Sequence, residues 1–258
     1  MISIVMAYHN RINQLEKTLQ SINQSSVKDI EIIVVDDFSD DANNPSSLLQ
    51  FYKHLNPKLI SMRDIDGEKK YMNPCIPYNV GLRASSGDIV IIQNPECAHI
   101  GDVLKFSQDN CNETSYFSFN CYSLNKNDTD VFQKTNTLPT FKESFTGYGE
   151  SGWYNHHIYN PRGYHFCSAL SRKNLIRLNG FDERYAYGHC FDDDEFAYRI
   201  KLLGLRFDFV FQPMVIHQFH ESVPQQRNTY LRRNDILILE MTLLENKVMA
   251  SCNREFIK

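Results

Sequence analysis

Ile2-Ser3-Ile4-Val5-Met6-Ala7-Tyr8-His9-Asn10-Arg11 opens the chain, and its design returns twice, as Ile30-Glu31-Ile32-Ile33-Val34-Val35-Asp36-Asp37 and Ile89-Val90-Ile91-Ile92-Gln93-Asn94. Each stretch is a short β-branched apolar run that ends abruptly in polar residues. Runs apolar at nearly every position suit strands covered on both faces, as in a parallel sheet. The segments between them read as helices. Gln14–Asn23 places Leu15, Leu19 and Ile22 on one face, Ser46–Leu55 follows, and Pro74–Ala84 starts with a proline where a missing N–H does least harm. Leu59–Met62 adds a brief strand. Strands alternating with helices predict an α/β fold, a mostly parallel central sheet flanked by helices.

Beyond this half the pattern weakens. Ser107–Gly163 is rich in Asn, Thr, Ser and aromatic residues, with a glycine-containing stretch at Thr146–Gly152, and reads as long functional loops. Regularity returns at Cys167–Leu178, a helix over Phe191–Leu203, a strand over Arg206–Val210, and Val215-Ile216 just before His217. A C-terminal helical tail, Tyr230–Met249, carries Leu231, Ile236, Leu239, Leu243 and Leu244 at helical spacing, suited to pack across the domain or to form a homodimer.

Composition narrows the function classes. The 258 residues include 27 basic and 31 acidic side chains, a net charge of −4 that offers no general attraction to nucleic acid or an anionic membrane. No apolar run approaches the roughly 18 residues of a membrane span. The start shows no secretory leader. Seven cysteines without a C-x-x-C pair fit buried reduced thiols, and a cytoplasmic location is expected.

In an open parallel sheet, ligands bind beyond the carboxyl ends of the strands. That rule singles out Tyr8, His9, Asn10 and Arg11, then Asp36, Asp37, Ser39 and Asp40, then Asn94 and Glu96. A solvated turn and helix cap would use the same Asp36–Asp41 residues. No G-x-G-x-x-G follows the first strand and no phosphate-binding G-x-x-x-x-G-K-[ST] occurs, which argues against dinucleotide and triphosphate chemistry.

These residues carry a resemblance. Ser3–Arg11 is similar to the S-I-V-I-P-T-Y-N-R opening of family 2 glycosyltransferases. Ile33-Val34-Val35-Asp36-Asp37-Phe38-Ser39-Asp40 resembles their V-V-D-D-G-S-x-D segment. Asn79-Val80-Gly81-Leu82 and Ser86-Gly87-Asp88-Ile89-Val90 resemble the N-x-G and S-G-D blocks. Asn179-Gly180-Phe181-Asp182-Glu183 and Asp192-Asp193-Asp194-Glu195-Phe196-Ala197-Tyr198-Arg199 resemble the G-G-F-D-E and E-D-x-E-F-x-x-R blocks of chondroitin-polymerase and galactosyltransferase-like members. The blocks span residues 2 to about 220 in order.

The resemblance implies a GT-A fold over 1–228, with a nucleotide-binding half (1–106), an acceptor-binding half (107–228) and an extension over 229–258. It implies an inverting transfer from a nucleotide-diphospho-sugar, expected to be a UDP-sugar, to a hydroxyl of a glycan or glycoconjugate. Ala7, Tyr8, Asn10, Asp36, Asp37, Asn79, Arg83 and Asn94 would face the nucleotide, Tyr8 and Asn10 flanking it. The family's D-x-D metal motif is altered to Asn94-Pro95-Glu96. Glu96 with His217, and His220 as the second choice of histidine, would suit Mn²⁺, with Mg²⁺ next. Asp193 would be the catalytic base and Asp192 would hold the acceptor. Trp153, Tyr154 and His157, in an aromatic run, would form an acceptor platform. Each has a plain structural reading: a hydrogen-bonded strand-end histidine, an acidic helix start, an aromatic loop filling a core gap. Two rival functions follow, a carbohydrate- or nucleotide-binding protein with a degenerate site, and a nucleotidyltransferase, which lacks its glycine-rich lysine turn here.

Overall fold

A computed structural model describes residues 1–221, 227–240 and 247–250; Leu243, Leu244 and Cys252 lie outside this set. The elements follow in order β1 (Ile2–Tyr8), α1 (Ile12–Asn23), β2 (Ile30–Asp36), α2 (Ser46–Phe51), β3 (Pro57–Ser61), α3 (Met62–Asp66), α4 (Cys75–Ala84) and β4 (Ile89–Gln93). Then come β5 (Cys97–Ile100), α5 (Val103–Asn110), β6 (Ser115–Ser123), α6 (Lys126–Thr135), β7 (Gly152–Asn155), β8 (Cys167–Ser171), α7 (Arg172–Leu178), a 3₁₀ turn (Glu183–Tyr187), α8 (Asp192–Leu202), β9 (Arg206–His217) and α9 (Arg227–Glu240).

The apolar runs become the sheet's first half. β1 lies between β2 and β4, all parallel, with Ile4 opposite Ile32 and Ile91. Helix α1 buries Leu15, Leu19 and Ile22 on one side of it. On the other side, α4 sits so close that a Cβ on Gly81 would lie 2.6 Å from Val5 Cγ1 and 2.9 Å from a Val35 methyl. Only a glycine allows that approach, and it sets α4 directly behind the strand ends.

The second half departs from the expected parallel sheet. The strand order is β3-β2-β1-β4-β8-β6-β9-β5, with β7 also on β6. β8 runs antiparallel to β4 and to β6, whereas β9 returns parallel to β6. The sheet is therefore mixed, and the parallel expectation holds for β3, β2, β1 and β4. The supposed loops of 107–163 also contain two helices and two strands. β6 is buried at every position, including Ser118 and Asn120. Asn155 on β7 accommodates this polarity: its Nδ2 donates to Ser118 Oγ (2.8 Å) and Phe119 O (2.9 Å), and its Oδ1 accepts from Gly163 N (2.9 Å). Arg206–Val210 and Val215-Ile216 are one strand, β9, which delivers His217 at its end.

Helix α8 is fixed by a buried ion pair that gives E-F-x-x-R a structural meaning. Arg199 is 1% exposed; its guanidinium pairs with Glu195 and donates to Leu178 O (2.8 Å) and Gly180 O (2.9 Å). A lysine keeps the charge but cannot span a carboxylate and two carbonyls. Arg199→Lys is expected to cost about 2–3 kcal/mol, read from the denaturant midpoint, because buried acceptors lose their donors.

Helix α9 packs back on the domain through Asn234, Leu237 and Ile238. Of the apolar residues expected on the tail's packing face, Ile236 and Leu239 point outward, 49% and 55% exposed, and do not pack on the domain. Among the described residues no helix is long and apolar enough to cross a membrane.

Candidate functional site

The ends of β1 and β2 form a tightly bonded rim. Tyr8 is fully buried, and its hydroxyl donates to Asn43 O (2.6 Å) and accepts from Arg11 N (3.3 Å), so its ring braces the rim from beneath. Asn10 takes a left-handed conformation (φ 49°) and ties the loops together through Ser39 Oγ (3.0 Å) and Asp40 N (2.9 Å). Ala7 lies partly exposed at the end of β1. Asp36 caps Ser39 N at 3.2 Å. Asp37 is buried and holds Lys69 Nζ (2.6 Å) and the Tyr71 hydroxyl (2.7 Å).

The segment from Lys69 to Asn73 joins this rim to the start of α8. Asn73 Nδ2 donates to Asp192 Oδ1 at 2.6 Å. Asp192 is 7% exposed; burial, then the neighbouring charge of Asp193, raise its pKa from 3.8 to about 6. Asp193 Oδ1 meets Nδ1 of His165, a close ionic contact from the turn before β8. Burial lowers the basicity of His165, but the charges of Asp193 and Asp192 outweigh it and raise its pKa.

Asp192 ionises later in the native protein than unfolded, so the native state binds more protons between pH about 4 and about 6, and the group's contribution to stability falls as pH rises through that window. Asp192→Asn keeps the acceptor for Asn73 and removes the charge. The variant should be more stable than wild type at pH 7 by on the order of 2 kcal/mol, with the gain vanishing below pH about 4 in parallel thermal melts.

At the end of β4, Glu96 is 1% exposed. Its Oε2 accepts from Arg11 Nη1 (2.8 Å), while Oε1 faces His217 Nε2 (3.2 Å) and His220 Nε2 (3.6 Å). Burial alone would raise its pKa; Arg11, His217 and His220 together hold it well below the carboxylate range. Burial lowers His220 to about 4, keeping that imidazole neutral. A carboxylate and two imidazoles whose donor atoms lie within 4.8 Å of one another fit a small divalent cation. Asn94 is not part of that set: its Oδ1 accepts from the Tyr78 hydroxyl (2.7 Å) and its Nδ2 faces Glu96 Oε1 (3.3 Å).

Tyr78, on α4, links the two acidic centres. Its ring meets His165 edge-on at 5.2 Å, and its phenol pKa is pushed well up by burial and by the charges of Glu96 and Asp193. The His165–Asp193 pair and the cluster around Glu96 thus adjoin one buried tyrosine.

Comparison with known proteins decides the family. The family model described as glycosyl transferase family 2 matches residues 3–177. The chain belongs to glycosyl transferase family 2. It is 25% identical over 277 residues to chondroitin synthase from Escherichia coli, covering 96% of this chain but 38% of that protein's length. A crystal structure of S. aureus TarS 1-349 in complex with UDP-GlcNAc has a TM-score of 0.62 at 17% identity, covering 86% of this chain and 59% of that one. The mannosyltransferase PcManGT from Pyrobaculum calidifontis, in complex with GDP-Man and Mn²⁺, has a TM-score of 0.51 at 20% identity, covering 89% and 58%. These likenesses establish the GT-A fold.

In this family 2 chain, several residues expected at the ligand make contacts within the scaffold. Asn79 is fully buried: its amide accepts from Phe181 N (2.8 Å) and donates to Phe181 O (2.8 Å) and Glu183 Oε1 (3.0 Å), clamping α4 to the loop after α7. Arg83 pairs with Glu183 (3.3 Å) in that clamp. Trp153 is 3% exposed and packs against Tyr122 and Phe141 in a separate core cluster, so its ring is no platform. Tyr154 stands beside His217, with ring centroids 4.9 Å apart, at the cation end. His157 is exposed, stacked on His156 and edge-on to Phe211. Conversely, Lys69, Tyr71, Asn73, Tyr78 and His165 escape the sequence reading. Arg11 is singled out there by its place directly after the first strand, without a role of its own.

Proposed function

We propose that the chain transfers a sugar, with inversion, from a nucleotide-diphospho-sugar, a UDP-sugar, to a hydroxyl of a glycan acceptor. The observation that carries this reading is the placement of two clusters about Tyr78: its ring meets His165, which contacts Asp193, and its hydroxyl bonds to Asn94, which adjoins the Glu96, His217 and His220 set. Asp37 and the Asp36–Asp40 rim receive the nucleoside, and Asp192 holds the acceptor. As the acceptor oxygen bonds to the anomeric carbon, its proton passes to the Asp193 carboxylate. The bond from that carbon to the diphosphate breaks, and its electron pair leaves with the nucleotide. Glu96, His217 and His220 would hold Mn²⁺, which supplies electrostatic stabilisation of diphosphate charge. Arg11 lies beside them and offers a second cation to the same phosphates. Tyr148 stands at that end, its hydroxyl donating to His220 O and its ring meeting Phe219.

A second reading is a binder without turnover, favoured by Asn94, whose carbonyl oxygen is committed to Tyr78 where the family motif has a carboxylate. The experiment is a thermal-shift panel of UDP-, GDP- and dTDP-sugars with and without Mn²⁺, followed by an assay of nucleotide release. Metal-enhanced binding of UDP-sugars with metal-stimulated UDP release is the expected result. Binding without release selects the second reading, and stabilisation by no nucleotide ends both.

A further inference from the structure

Cys190 and Phe191, immediately before Asp192 and Asp193, have φ values of 62° and 67°. Two consecutive non-glycine residues in the left-handed region form a turn that L side chains resist, so it persists only where its surroundings hold it. The hold comes from α9. Asn234 is fully buried, and its Nδ2 donates to Cys190 O (2.9 Å) and Tyr185 O (3.1 Å). Its Oδ1 accepts from Arg233 Nη1 (3.2 Å), which also donates to Arg184 O (2.8 Å). Gly188 makes the approach possible, since a Cβ there would lie 2.0 Å from Asn234 Oδ1. The Cys190 carbonyl belongs to the peptide between the two left-handed residues. The next carbonyl, Phe191 O, accepts from Glu195 N (3.0 Å) and opens α8. Whatever fixes that peptide fixes the direction in which Asp192 and Asp193 leave the helix start.

We propose that Asn234 is a positioning residue for Asp193: the tail helix, through one buried amide, holds the strained Cys190–Phe191 turn that aims the base. This rests on the reading of Asp193 as the base given above. Misplacing a reacting group by about 1 Å can cost up to about a hundredfold in rate, and in the reading above the nucleotide is held by the Asp36–Asp40 rim rather than by this turn. Asn234→Ala in the full chain should therefore lower kcat for UDP release from UDP-N-acetylglucosamine with Mn²⁺ by about tenfold or more, leaving KM unchanged. Adding Cys190→Gly should recover most of the loss, because glycine adopts this φ freely. Hydrogen exchange should rise in Asn234→Ala within residues 188–195 and return in the double variant. An unchanged kcat, or a loss that glycine does not restore and that accompanies faster exchange throughout the chain, overturns the proposal. If the wild type releases no UDP, the glycosyl-transfer reading falls by itself and exchange decides this one: a rise confined to 188–195 upholds Asn234 as the residue that orients these carboxylates, and no rise there overturns it.

Discussion

Asp193→Asn should reduce turnover by about 10²–10⁴ while nucleotide binding and the melting temperature stay near wild type. The asparagine amide has the shape of the carboxylate but cannot take a proton from the acceptor hydroxyl. Its carbonyl oxygen can still accept from an Nδ1–H of His165, so the side chain keeps its place against that ring. Stability should not suffer, because the first turn of α8 carries Asp192, Asp193, Asp194 and Glu195, and neutralising one relieves repulsion among them. The Asp193 side chain is also 28% exposed, which leaves room for an acceptor. The measurement is the rate of UDP release under saturating donor, with nucleotide affinity determined on the same sample. A variant that keeps more than a third of the wild-type rate would remove Asp193 from the role of base.

The fold was legible where burial and hydrophobicity coincide. β1, β2 and β4 are apolar because helices cover both faces, so their pattern could be read directly. β6 is buried as completely, yet Ser118, Asn120 and Ser123 interrupt its apolar pattern; its polarity is met by Asn155 and the Tyr164 carbonyl, which accepts from Ser118 Oγ at 3.0 Å. Such partners lie tens of residues away and leave no local trace. The change to antiparallel pairing at β8 was equally hidden, since Cys167–Ser171 reads as a strand whichever way it runs.

The site divides in the same way. Glu96, Asp37 and His217 stand at strand ends, where topology puts ligands, and the sequence singles them out for that reason. His165 and Tyr78 act by meeting Asp193 and Asn94 across the fold, and no spacing encodes that. Trp153 was misread for the opposite reason: its residue type suits a sugar, but Tyr122 and Phe141 already occupy its faces. Asn79 sits in a motif of the nucleotide half, and its work is to hold α4 and the Phe181 backbone together.

Arg11 gives the cation site its sharpest test, because two substitutions around one carboxylate should act in opposite directions. Glu96 shares its oxygens between the guanidinium and the two imidazoles. Glu96→Gln removes the charge that attracts a divalent ion, and His217→Ala removes a nitrogen donor. Each should weaken Mn²⁺ binding by at least about 100-fold, the scale at which even supporting residues matter in metal sites. Arg11→Ala takes away a positive charge 2.8 Å from the carboxylate and should strengthen Mn²⁺ binding in the absence of nucleotide. With UDP present that gain should shrink, since the lost guanidinium no longer meets the phosphates. Thermal shift against Mn²⁺ alone reads all three, because a ligand at about 100 times its Kd stabilises by about 2.7 kcal/mol and a lost site gives none. Equal Mn²⁺ responses in wild type, Glu96→Gln and Arg11→Ala would move the cation away from Glu96.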